Sequence, residues 1–178
     1  MIAIAPILGN HDVLLDWESG IHQYPASAFD RAIIDVGETL TNYSIRGWHC
    51  TRLTDTEVAS ILADGMHLPN LEILRQRINT LVAAGLLSPD VAERLKTRNQ
   101  ADQSSRAGKL WFCFFAPKLA GEHGIGRFFR HWGGEALYNS HEADSVTSPV
   151  IRTIGAPRVV AADIPLLLCP ARLDWPPM

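Results

Sequence analysis

The residues best suited to chemistry lie in the run Gly126-Arg127-Phe128-Phe129-Arg130-His131-Trp132-Gly133-Gly134-Glu135-Ala136-Leu137-Tyr138. One carboxylate, Glu135, follows a double glycine and two arginines. A lone carboxylate on an apolar segment loses hydration, so a fold keeps it at a cost unless it has a use. Facing a developing positive charge, it would stabilise that charge electrostatically. Arg127 and Arg130 stand three apart on one helix face, and their planar forks match phosphate oxygens. The upstream run Trp48-His49-Cys50-Thr51-Arg52 supplies a second group. On an extended strand His49, Thr51 and Leu53 share one face, and Trp48, Cys50 and Arg52 share the other. His49 and Thr51 then offer a ring nitrogen and a hydroxyl, side by side, to a ligand hydroxyl or carboxamide. The plain alternatives are a half-buried structural histidine at position 49 and a pair of surface charges at 127 and 130. Arg52 is a third candidate for an anion, although its strand parity turns it away from His49.

Strand and helix signals position these residues. Residues 47–53 read as a strand. Behind them Thr54 and Glu57 form a capping box, Val58, Ile61 and Leu62 an apolar stripe, and Gly65 a stop. Leu71, Leu74, Ile78, Leu81 and Val82 fall at helical spacing, ended by Gly85. Ser88 and Pro89 cap and start another helix, with Val91 and Leu95 as its stripe. Residues 99–108 are polar and read as a mobile loop. Residues 110–115 read as a buried aromatic strand, 121–126 as a glycine-rich loop and 125–132 as a short helix. The glycine spacing is neither the dinucleotide fingerprint nor a P-loop. Residues 135–138, 150–154 and 158–164 read as strands, as do residues 13–15, while 26–40 has a helical pattern. Helices thus gather mid-chain, with strands in the first third and at the end. That order predicts an α+β fold with a split, mostly antiparallel sheet flanked by helices. One domain is expected over 1–178: 1–46 as a helical and strand cover, 47–168 as the core carrying the site, 169–178 as a tail.

At 178 residues, 47% hydrophobic and 20% charged, the chain has the composition of an ordinary globular domain. A net charge of −3 argues against nucleic-acid affinity driven by overall charge. Locally the balance differs, because residues 88–131 hold eight Lys/Arg against four acids. Such a field suits a pyrophosphate or a nucleic-acid backbone, and a solvated helical face is the plain reading of its 94–106 part. Three cysteines, Cys50, Cys113 and Cys169, without paired spacing argue against a disulfide framework. The N-terminus lacks the basic start and apolar core of a signal peptide, and no run approaches the ~20 apolar residues of a membrane span. A cytoplasmic location is expected.

The order of motifs is a His-x-Thr strand running into a capped helix that ends in Gly65-Met66, then an aromatic strand, then a late segment with a single Glu. This order resembles the ADP-ribosyltransferase superfamily over roughly residues 47–165. The likeness is to its histidine-bearing branch, which includes poly-ADP-ribose polymerases, tRNA 2′-phosphotransferase and DNA-modifying toxins. The matching positions are His49 with Thr51, and Glu135. The aromatic position falls among Trp111, Phe112 and Phe114, where the family usually has Tyr or Ser. The resemblance implies NAD as substrate, His49 and Thr51 holding a ribose, and Glu135 as catalytic carboxylate beneath an oxocarbenium-like carbon. It implies Arg127 and Arg130, with Arg52, for the pyrophosphate, and Trp111, Phe112 or Tyr138 for stacking on nicotinamide. It further implies a macromolecular acceptor, protein or nucleic acid, and a bacterial toxin or phage-defence role with an antitoxin or immunity partner.

Two other classes stay open. His49, Cys50, Cys113, His123, His131, His141 and Glu142 include enough ligand types for a zinc-dependent hydrolase, yet no Cys-x-x-Cys or His-Glu-x-x-His spacing is present, and no metal ligand is assigned. A non-catalytic module would instead dock nucleic acid or a partner protein through residues 88–131, without a helix-turn-helix or RNA-binding signature.

Overall fold

Side-chain caps start three of the helices. Thr54 Oγ1 accepts from the Glu57 amide at 3.2 Å while the Glu57 carboxylate accepts from the Thr54 amide at 2.8 Å, closing the capping box. Asn70 accepts from the Ile73 amide, and Ser88 from the Val91 amide with Pro89 in the first turn. The computed structural model describes residues 10–20, 23–114, 117 and 121–168, without the side chains of 17, 121–124 and 168. In chain order the elements are α1 (His11–Ser19), α2 (Ala26–Leu40), β1 (Ser44–Leu53), α3 (Asp55–Asp64), α4 (Leu71–Ala83), α5 (Pro89–Thr97), α6 (Gly121–Arg130), α7 (Glu135–His141), α8 (Thr147–Thr153) and β2 (Ala156–Pro165). The fold is α+β, and its sheet is a two-stranded antiparallel pairing of β1 with β2. Among the described residues no helix is long and apolar enough to cross a membrane.

The sheet is smaller than the sequence predicts, for local reasons. Residues 135–138 are not a strand but the start of α7, whose buried Leu137, Tyr138 and His141 fall at helical spacing. A four-residue window cannot separate that period from alternation. Residues 150–154 are not a strand either, since they end α8, whose Thr147, Ser148 and Ile151 are buried. Asp144 Oδ1 accepts from the amides of Val146 and Thr147 and so anchors the entry to that helix. These bonds, Thr147 first, hold the Asp144 carboxyl down at about 2. Residues 13–15 lie within α1. The described part of 110–115 meets β1 through a single antiparallel bridge, Trp48 with Cys113, closed by two hydrogen bonds of 2.9 Å. Residues 121–126 are helical rather than a loop: three glycines cost α6 about 1 kcal/mol each in propensity, and Ile125, Phe128 and Phe129, each half-buried, supply packing against that cost. The predicted tail, 169–178 with Cys169, lies outside the described residues.

The chain divides into two compact units, residues 47–161 and residues 1–46 with 162–178, so the division runs through both strands. In the second of these α1 packs on α2. Arg46 and Asp163 form a bidentate pair, Nε–Oδ1 2.5 Å and Nη2–Oδ2 2.9 Å, and its exposure makes it a weak contributor to stability.

The 47–161 unit carries the candidate site. Its core joins Leu74, Ile78 and Leu81 of α4 to Val91 and Leu95 of α5, with Trp132, Leu137 and Ile151 completing it. Arg52 fastens the inner end of β1. Its Nε donates to the Ile154 carbonyl at 2.7 Å, Nη2 to Gly155 at 2.9 Å and Nη1 to Phe129 at 3.2 Å. Phe129 lies in the last turn of α6 and Ile154 caps α8, so one guanidinium serves the orphan carbonyls of two helix ends. Gly155 follows with φ +64°, and a Cβ there would meet the Leu53 carbonyl oxygen at 2.4 Å, so only glycine fits.

Candidate functional site

On β1 the His49 ring is half-buried, with Nδ1 2.9 Å from the Trp111 carbonyl. A carbonyl only accepts, so Nδ1 carries the hydrogen and Nε2 of the neutral ring is left as an acceptor. Burial lowers the His49 pKa against the opposing Trp111 bond, and Arg77 adds to the lowering, so the ring is neutral at pH 7. Thr51 lies two residues on, on the same strand face. Neither Nε2 of His49 nor the Thr51 hydroxyl has a hydrogen-bond partner among the described residues. The Phe112 ring is tilted against His49, with centroids 5.8 Å apart. Trp111 is 63% exposed, which leaves its indole face open for stacking.

A second group, linked to His49 through the charge of Arg77, is one that sequence reasoning missed. The Glu57 carboxylate accepts from Arg77 Nε at 2.7 Å and from the indole of fully buried Trp132 at 3.1 Å. Arg77 lies over the Trp132 ring, 4.7 Å from its centroid. Burial opposes ionisation of Glu57, but Arg77, the Thr54 amide and the Trp132 indole outweigh it, and the pKa is lowered. The capping-box pattern locates Glu57 at a helix start, and nothing in it indicates the other two donors.

Glu135 occupies the first turn of α7, after Gly133 and Gly134 with φ of +83° and +57°. Its side chain is 35% exposed, so it is not sealed in an apolar interior. Oε1 accepts from the Tyr138 hydroxyl at 3.3 Å, and Oε2 stands 3.7 Å from Arg106 Nε. Burial, then the Glu135 charge, raises the Tyr138 pKa. The contacts of Glu135 and those of His49 have no residue in common among the described residues.

The predicted anion clamp is largely occupied. Arg127 donates to both carboxylate oxygens of Glu142 and to Asn139, and lies 4.2 Å from the Tyr138 ring centroid. Arg52 is held by its three carbonyls, as above. Arg130 is exposed, with no hydrogen bond or ion pair among the described residues, and is the cation left for a ligand. The positive field of 88–131 is likewise partly neutralised, by Arg98 with Asp144 and Arg106 with Glu135 as well as Arg127 with Glu142.

Among the described residues no three His, Cys, Asp or Glu side chains gather as a metal site would require. The His123 side chain lies outside the described residues. His141 is fully buried and committed, donating from Nε2 to the Arg98 carbonyl at 2.5 Å and accepting at Nδ1 from the Thr147 hydroxyl at 2.9 Å. A polar cleft of about 540 Å³ opens beside α4, α5 and residues 99–103, walled by Arg75, Glu93, Lys96, Asn99 and Asp102 among others, and none of the predicted site residues lines it. Comparison with protein-family models, with characterised proteins and with solved structures gives no match.

Proposed function

We propose that the chain consumes NAD and transfers its ADP-ribose to a macromolecular acceptor, protein or nucleic acid. The carrying observation is the His49–Thr51 pair, a neutral imidazole locked through Nδ1 beside a hydroxyl, with His49 Nε2 and the Thr51 hydroxyl both free of hydrogen-bond partners among the described residues. That is the donor and acceptor set a ribose diol needs. Exposed Trp111 beside it is an aromatic face for nicotinamide, and Arg130, without a hydrogen bond or ion pair among the described residues, is a cation for the pyrophosphate. Glu135 is assigned the charge-stabilising role, on the motif order of the sequence. In the reaction the bond between ribose C1′ and the nicotinamide nitrogen breaks, and its electron pair leaves with nicotinamide. The acceptor heteroatom then bonds to C1′ and releases its proton to water. The carboxylate stabilises the cationic carbon between these events. A reducing cytoplasm, where NAD is plentiful, fits this reading, as does a toxin or phage-defence role with an immunity partner.

The test is nicotinamide release from NAD by the purified protein, with labelled NAD and cell lysate to find the acceptor. Glu135→Gln is expected to slow release by about 100-fold or more with NAD affinity little changed. His49→Ala is expected to weaken NAD binding by about tenfold, one lost hydrogen bond to an otherwise intact site. Release by Glu135→Gln at the wild-type rate, or no NAD-dependent rise in melting temperature for the wild type, would overturn the proposal.

A further inference from the structure

We infer that Arg106 is the positioning residue of Glu135, an inference that rests on the reading of Glu135 as the catalytic carboxylate. Among the described residues Arg106 is the cation ion-paired with Glu135, at 3.7 Å from Nε to Oε2. That Nε is sealed from solvent and has no hydrogen-bond acceptor among the described residues. A buried donor without an acceptor is unfavourable. The strain is relieved when the carboxylate moves in by about 0.8 Å to ordinary charge-assisted hydrogen-bond distance. Torsions of the Glu135 side chain supply such a shift without moving the backbone. The geometry thus gives Glu135 two settings, held off Arg106 as described and drawn onto it, and the guanidinium defines the second.

Both ends of this contact are anchored. Arg106 Nη1 donates to Gln103 Oε1 in a close contact, and the Arg106 amide bonds to the Gln103 carbonyl at 2.8 Å. The turn that carries Arg106 is tied to α7 by the Gln100 amide, which donates at 2.9 Å to the carbonyl of Ala136, the residue after Glu135. Gln100 Oε1 accepts from Asn139 on the same helix. On the far side Tyr138 holds Oε1, with its own ring beneath Arg127. Arg106 therefore sits at a fixed offset from the residue it steers. Nothing in the polar run 99–108 marks this role, because no periodicity or motif surrounds position 106.

The experiment measures kcat and KM for nicotinamide release in Arg106→Met, Arg106→Lys, Glu135→Gln and the double variant Arg106→Met/Glu135→Gln. Misplacing a catalytic group by about 1 Å costs on the order of 100-fold, so Arg106→Met is expected to lower kcat by about 100-fold with KM changed less than about threefold. Arg106→Lys keeps the charge and should recover about tenfold of that loss. In the Glu135→Gln background Arg106→Met should cost nothing further, since it acts through the absent carboxylate. A loss confined to KM, or one that multiplies fully with Glu135→Gln, overturns the inference while leaving the functional reading intact. Glu135→Gln at the wild-type rate overturns the functional reading and this inference with it. If Arg106→Met does not fold, Arg106→Gln replaces it in the same comparison.

Discussion

Replacing Glu57 by alanine removes one acceptor from three donor groups at once. The reciprocal cap with Thr54 is worth about 1 kcal/mol. Trp132 is 0% exposed, so its indole N–H would be left buried without an acceptor, at about 1–3 kcal/mol. The Arg77 and Glu57 side chains are 30% and 18% exposed. Breaking a fully buried pair costs about 3–5 kcal/mol, and this exposure reduces it to about 1–2. The parts share one carboxylate and are not fully additive, which sets the whole at about 3–5 kcal/mol. For a chain of this length that lowers the melting temperature by about 10 °C. Urea unfolding at pH 7 is the assay, and Glu57→Gln, which keeps an acceptor, should lose about half as much. The pH dependence has a definite sign. The folded pKa of Glu57 lies below its unfolded 4.5, so its contribution is full above that pH and is lost as pH falls through the lowered value. The gap between wild type and variant should therefore narrow in acid. A loss near 1 kcal/mol at pH 7, that of a solvent-facing cap alone, would refute the reasoning.

Two further outcomes are expected. His49, His131 and His141 all have lowered pKa values, with burial the largest cause in each, so below pH 6.5 the unfolded chain takes up protons that the fold refuses. Stability should hold above pH 6.5 and fall as the pH drops below it, and unfolding midpoints that stay flat on the acid side of 6.5 would contradict it. Gly155→Ala should destabilise by at least about 2 kcal/mol more than Gly65→Ala, because both have positive φ but only at 155 does a Cβ strike backbone. Equal losses in the two variants would mean that the chain at Leu53 yields.

Much of the helical framework was legible because its signals are local. Thr54 with Glu57, and Ser88 with Pro89, act on residues three positions away, so spacing alone identifies them. In the last third the sequence misleads where apolar runs are too short to show a period, as at Ala136-Leu137-Tyr138, or where glycines suggest a loop, as over 121–126, although the segment is helical. The site divides along the same line. His49 and Thr51 share a face because strand parity requires it. Apart from Thr54 and Tyr138, the partners of Glu57, Arg52 and Glu135 lie 20 to 103 positions away, and no sequence period encodes such pairings.

The Arg52 clamp bears on when β1 can settle. Its three acceptors lie 77, 102 and 103 positions further along the chain. Contacts that enclose such long segments carry a large loop-closure entropy and form slowly compared with a hairpin of the same size. During synthesis the clamp stays incomplete until Gly155 has been added, 26 residues after Phe129. The ribbon, the simplest element of the fold by its strand count, is therefore expected to become native late.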